Sequence, residues 1–475
     1  MCSIILISFI KYKICRILLV GILALFAVPV LYFYTKAPPP LPDLDLEEWW
    51  GTKLSMSKQN NSIVPFQVKF DDIIIKDIKE RLRDRHPLTP PLEGVAFEYG
   101  FNSKQLEPWL KYWVEEYPYS ERETYINKYP QYKTNIQGLN VHFVRIKPEK
   151  VPAGKEIVPL LLLHGWPGSF LEFYEAVPHL MAVSKDRDFV FELIIPSLPG
   201  YGFSSAATRP GLGADKMAVV MKNLMNRLGF KKFYVQGGDW GALIGSLMAT
   251  FFPQEVLGYH TNMPFLSTTS STIIRVLGSF YPPLVVSSEA ADRMYPMSKY
   301  FGMLLEETGY FHIQATKPDT VGIALGDSPA GLAAYILEKF STWTRLEHRS
   351  KPDGGLTFRF SKDRLIDNLM VYWVSNSITT SMRMYAETFN KRFFAQSLDE
   401  IQTPVPTWII QAKQEVVYIP GWILKFKYTN LLNETILQDG GHFLAMELPE
   451  IFSKDVLKAV DAFRKWHKQQ HRTEL

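Results

Sequence analysis

An aspartate framed by glycines closes a short β-rich run, Lys232-Phe233-Tyr234-Val235-Gln236-Gly237-Gly238-Asp239-Trp240-Gly241, and a small-residue helix pattern follows through Thr250. A strand that turns this sharply into a helix needs small residues two places either side of the turning residue. Gly237 and Gly241 occupy those places around Asp239. The layout is that of a nucleophile elbow, with the central side chain held up at the end of a sheet beside a helix N-terminus. Ser is the usual central residue, and Asp changes the chemistry. A Ser oxygen that attacks a saturated carbon leaves an ether, which water does not readily cleave. A carboxylate leaves an ester, which an activated water hydrolyses at its carbonyl. Asp239 therefore points to hydrolysis of substrates attacked at saturated carbon, chiefly epoxides and haloalkanes.

Such a hydrolysis needs a base and a hole for the oxyanion. His442, in Gly440-Gly441-His442-Phe443, follows the last strand pattern and completes the chain order nucleophile, acid, histidine. It is one of ten histidines, so its position after a strand and between turn residues is what singles it out. A second strand pattern ends in His164-Gly165-Trp166-Pro167-Gly168, a tight loop whose Trp166 backbone N–H can pair with that of Trp240 to form the hole. Pro and Gly make a turn there in any case, and the turn is what aims the N–H.

These residues need a scaffold, and the chain supplies one in alternating patterns. Strands are expected at 139–146, 157–163 and 189–195, with helices at 169–181 and 214–228, before the elbow itself. From about residue 264 to 395 helical patterns such as 331–344 and 363–374 replace the strands. Strand signals resume at 405–411 and 435–438, and a helix at 449–469 closes the chain. This predicts a mostly parallel sheet covered on both faces, with a helical lid over the carboxyl ends of its strands. Ahead of the sheet, 42–62 reads as a polar connector carrying Trp49-Trp50-Gly51, and 65–132 as an irregular, mostly helical wrapping segment rich in Trp and Tyr. The expected division is a membrane anchor at 1–40, connector and wrapping segment at 41–138, first half of the core at 139–263, lid at 264–395 and second half of the core at 396–475.

Composition narrows the function classes. The 475 residues are 47% hydrophobic and 14% aromatic, ample for a large core and an apolar pocket. A net charge of +4 is too small and too scattered for a nucleic-acid surface. No phosphate-cradling glycine loop is present, and both cysteines, Cys2 and Cys15, lie near the N-terminus, which leaves the body without a disulfide or a Cys-based metal site. No cofactor is expected. The run 17–34 is apolar and of bilayer-spanning length, preceded by Lys11, Lys13 and Arg16 and stopped by Pro38-Pro39-Pro40, which reads as a retained anchor. The side of the membrane that the body faces stays open.

The motifs combine into a resemblance. His164 to Gly168, Gly237 to Gly241, Tyr310-Phe311-His312-Ile313-Gln314 with Thr316 to Thr320, and Gly440 to Phe443 together resemble the microsomal epoxide hydrolases, most closely the insect juvenile hormone epoxide hydrolases. The resemblance runs from the N-terminal anchor to the C-terminal helix. It implies an α/β-hydrolase fold and a membrane-bound enzyme of the endoplasmic reticulum that turns lipophilic epoxides and water into diols, without an obligate protein partner. By that resemblance Asp239 is the nucleophile, His442 the base and Glu415 its carboxylate partner, and Tyr310 and Tyr385 donate to the epoxide oxygen. A phenol of pKa near ~10 stays protonated at neutral pH, which suits it to that donation. One stretch departs from the family: an aromatic-Pro pair usually precedes the acid, whereas this chain has Gln411-Ala412-Lys413-Gln414-Glu415-Val416. Two other readings use the same residues: a haloalkane dehalogenase, and an inactive membrane-tethered homologue that binds lipids in the pocket.

Overall fold

The computed structural model describes residues 37–473 apart from Lys58, together with Arg16. The apolar run 17–34 lies outside the described residues. Among the described residues no single helix is long and apolar enough to cross a membrane.

One sheet of nine strands organises the chain: β1 (Val64–Phe66), β2 (Gln131–Ile136), β3 (Leu139–Ile146), β4 (Glu156–Leu163), β5 (Phe189–Pro196), β6 (Phe233–Gly237), β7 (Val256–Thr261), β8 (Thr407–Gln411) and β9 (Leu431–Ile436). Their spatial order is β1-β2-β3-β5-β4-β6-β7-β8-β9. The first three pairings are antiparallel and the remaining five, from β5 to β9, are parallel. The central strands are near-continuous apolar runs because helices cover both faces, and β5 is buried along its whole length. The helix Trp240–Phe251 after the elbow is buried at every position, and the C-terminal helix Pro449–Thr473 packs on β7 and β8.

Three details differ from the sequence reading. The segment ahead of residue 139 contributes strands to the sheet: β2 pairs with β3 through the two-residue turn Gln137-Gly138, both at positive φ, and β1 adds the edge. The sequence of β2, QYKTNI, is polar because one face of this edge pair meets water. The last strand occupies 431–436 in place of 435–438, which leaves residues 437–441 free to form the loop that carries His442. The expected helix at 169–181 is two short turns, Phe170–Phe173 and Val177–Leu180.

The regular elements of the lid between β7 and β8 are all helices, and the wrapping segment ties the lid down. Tyr117 Oη donates to Asp367 Oδ1 at 2.7 Å and Arg122 pairs with the same carboxylate. Asp367 lies on the lid helix Lys362–Val374, whose Asn368 Nδ2 and Tyr372 Oη donate to the carbonyls of Pro167 and Gly168 at 2.7 and 2.8 Å. The wrapping segment thus braces a lid helix that in turn fixes the loop after β4. Trp50, 1% exposed, secures the connector to the body: its backbone N–H donates to Gln137 O, and Arg209 lies over its ring.

Candidate active site

Asp239 sits at the end of β6 with φ 49° and ψ −125°, a strained turn that a side chain adopts only when its surroundings enforce it. The enforcement is the close packing of the elbow. A Cβ on Gly237 would stand 2.1 Å from Gly241 O, and one on Gly241 would stand 2.0 Å from Leu163 O. Only glycine fits either place, as the sequence pattern required.

The turn delivers the carboxylate to three partners. The Trp166 N–H donates to Asp239 Oδ1 at 2.8 Å, and the Trp240 N–H, next along the chain, helps favour the charged carboxylate. His442 Nε2 stands 3.5 Å from the other oxygen, Oδ2. Burial is the strongest influence on Asp239 and pushes its carboxyl up from 3.8, while His442 and the two backbone N–H groups oppose that push. His164 holds the loop in place: Nε2 accepts from Leu198 N–H at 3.1 Å and Nδ1 lies 3.0 Å from Gly165 O. Burial lowers this imidazole to about 4, so it stays neutral.

Glu415 follows β8 and meets His442 from the other side, its Oε1 at 2.8 Å from His442 Nδ1. The same oxygen accepts from Val416 N–H at 2.7 Å. The unusual loop keeps Glu415 in place through its backbone, with Gln414 N–H donating to Gly440 O at 2.9 Å, while Lys413 is exposed at the wall of the cavity. Asp399 and Glu400, the other acids near this strand, accept from the backbone N–H of Ser267 and Thr269 instead. Burial works against a charged His442, but Glu415 and Asp239 overcome it and raise the imidazole from 6.5 to about 9.

The lid supplies the opposite wall. Tyr310 begins the helix Gly309–Thr316 and stacks on Trp166, ring centroids 5.2 Å apart and planes 6° from parallel. Tyr385, on the helix Ile378–Thr388, packs edge-on to Trp240 at 4.7 Å. The two tyrosine rings are 6.0 Å apart. Trp166 and Trp240, whose own backbone N–H groups face Asp239, therefore also each seat one phenol. Burial raises both phenols well above 10, which keeps them protonated at neutral pH. Asp239, Tyr310, Tyr385 and Glu415 all line one cavity of about 430 Å³, walled largely by apolar side chains such as Leu243, Met303 and Phe389.

All seven sequence-predicted residues are brought together at this cavity or immediately behind it. Two carboxyls beside them carried no sequence motif. Glu447 accepts from Gly441 N–H at 2.9 Å and Phe443 N–H at 3.0 Å, bracketing the backbone on both sides of His442. Glu172, on the turn Phe170–Phe173, is buried with a carboxyl raised to about 8 by burial. The spacing of Glu447 five residues after the base was the one signal available for it. Among the described residues no cluster of His, Cys, Asp and Glu is arranged to hold a metal ion.

A family model described as the epoxide hydrolase N terminus matches residues 63–173, and one for the alpha/beta hydrolase fold matches residues 158–283. Juvenile hormone epoxide hydrolase of Bombyx mori is 62% identical over 444 residues, spanning 94% of this chain and 96% of its own. Epoxide hydrolase 1 of Oryctolagus cuniculus is 43% identical and spans 91% of this chain and 96% of its own. The crystal structure of the silkworm juvenile hormone epoxide hydrolase superposes with a TM-score of 0.88 at 63% identity, covering 89% of this chain and all of that one. The chain is an enzyme of the α/β-hydrolase fold and belongs to the epoxide hydrolase family that contains the juvenile hormone and microsomal enzymes.

Proposed function

We propose that the enzyme opens lipophilic epoxides, juvenile hormone among them, through an ester on Asp239. The observation that carries this reading is the opposition of Asp239 to two neutral phenols across one apolar cavity. An Asp239 oxygen attacks an epoxide carbon, the ring C–O bond breaks, and the alkoxide takes a proton from Tyr310 or Tyr385. The tyrosine is reprotonated at the expense of the charged His442. Alkylation also removes the charge of Asp239, one of the influences that hold His442 up, so the imidazole becomes free to act as a base. A water then loses its proton to His442 Nε2 while its oxygen bonds to Cγ of the ester. The Trp166 and Trp240 N–H groups hold the oxyanion, and collapse releases the diol and restores the Asp239 carboxylate beside a charged His442.

The substrate assignment rests on the relatives' names and on the apolar walls of the cavity. Comparison of kcat/KM for juvenile hormone and for styrene oxide tests it. The proposal expects the hormone to be preferred, and a preference for styrene oxide would make this a broad-range enzyme. We further propose that the segment 17–34 anchors the enzyme in the endoplasmic reticulum membrane, a reading supported by its length, apolarity and basic flank.

A further inference from the structure

Glu172 has no part in the steps above, yet the fold places it with care. Its turn, Phe170–Phe173, directly follows the loop that supplies the Trp166 N–H, and it packs against the helix Leu444–Glu447 that directly follows His442. The residue is 9% exposed. Its carboxyl has no hydrogen-bond partner among the described residues, and His442 is the charge it feels most, ahead of Asp239 and Glu415. The cavity wall includes Asp239 and Glu415 but not Glu172, so this carboxyl does not meet the epoxide. The loop leaves room for it: a Cβ on Gly168 would stand 2.8 Å from Glu172 Oε2, with nothing else nearer than 3.5 Å.

From this placement we infer that Glu172 holds the hydrolytic water beside His442, its carbonyl oxygen accepting the O–H that His442 does not take. The inference rests on the ester mechanism proposed above. A water that attacks Cγ must give one proton to His442 Nε2 and keep a lone pair aimed at the ester. A second acceptor fixes its remaining O–H and therefore that aim. An unpartnered buried carboxyl is costly unless something satisfies it, and a water is the partner that fits a polar group off the substrate cavity. Burial keeps the carboxyl neutral at pH 7, its pKa standing at about 8. It therefore adds no third negative charge beside Glu415 and Asp239. A neutral acceptor is also what glutamine provides, which separates this role from one that needs charge.

The test uses the full chain in single turnovers with styrene oxide, with acid quenching and mass spectrometry to follow the Asp239 ester. His442→Gln serves as the control that accumulates ester. Glu172→Leu should form the ester at the wild-type rate and hydrolyse it roughly 10- to 100-fold more slowly, the scale of one lost hydrogen bond to a reacting group. Glu172→Gln should stay close to wild type in both steps. Gly168→Ala, which pushes the carboxyl aside and leaves it present, should slow hydrolysis and spare alkylation. Ester hydrolysis at the wild-type rate in Glu172→Leu would overturn the inference, as would equal slowing of both steps or a Glu172→Gln variant as slow as Glu172→Leu. Should Glu172→Leu not fold, a slow Gly168→Ala with a fast Glu172→Gln supports the role, and any other pattern overturns it. A His442→Gln control that consumes epoxide without forming an ester would remove the covalent reading, and this inference would fall with it.

Discussion

Replacing Glu415 by Gln keeps the size and the hydrogen bond of the side chain and removes its charge. In the native site Glu415 Oε1 lies 2.8 Å from His442 Nδ1, and both groups are buried. Burial by itself would pull the imidazole below 6.5, so the rise to about 9 is what remains after Glu415, the strongest of the raising influences, and Asp239 have overcome it. That rise corresponds to on the order of 3 kcal/mol of preference for the imidazolium. In the ester Asp239 is neutral, and Glu415 alone stabilises the imidazolium that forms as water is deprotonated. Loss of most of that preference slows ester hydrolysis by about 10²-fold or more. Ester formation changes much less, because Asp239 attacks with its own charge. Rapid-quench single turnovers read the two steps separately, and the variant should accumulate ester that wild type does not. Wild-type hydrolysis in Glu415→Gln, or a stall at the ester in Asp399→Asn or Glu400→Gln instead, would refute the reasoning.

Tyr310→Phe and Tyr385→Phe should each slow ester formation by roughly 10²-fold, the scale of one lost oxyanion donor, and leave hydrolysis of a preformed ester nearly unchanged in the same assay. Stability should fall with rising pH on thermal denaturation. Glu172 and Glu447, both raised to about 8 by burial from 4.5, keep a proton in the folded chain that the unfolded chain has already released between those values. His442 extends the fall from 6.5 to about 9, since a raised imidazole stabilises the fold fully below 6.5 and not above 9. Glu172→Gln should flatten the part of that slope between pH 4.5 and 8. Deleting residues 1–40 should move diol-forming activity from the membrane pellet to the supernatant, and activity that still pelleted at high salt would contradict a single anchor.

The elbow was legible because its demands are local. A strand that turns into a helix within one residue admits only glycine at 237 and 241, and the two clashes at about 2 Å are the physical form of that pattern. The base and the two N–H donors were legible for a similar reason, since each closes a strand at the same edge of a parallel sheet. Glu415 kept its distance from β8 although its loop had changed, and the Gln414-to-Gly440 backbone hydrogen bond explains how. Other features depend on contacts far apart in sequence. The turn that carries Glu172 reads as an ordinary helix until the helix after His442 is packed against it. The edge strands β1 and β2 are short or polar, and only their pairing identifies them. The bracing of the lid by Tyr117 and Arg122 spans about 250 residues and leaves no periodic trace.

The central claim is that an Asp239 oxygen, and not water, attacks the epoxide. A single turnover of wild-type enzyme in excess over styrene oxide, run in water enriched in ¹⁸O, tests it most directly. The ester route sends the oxygen of water to Cγ, so the first diol should be unlabelled and one ¹⁸O should appear in the peptide that contains Asp239. Label in the first diol, with none in that peptide, would mean direct attack by water and would contradict the account.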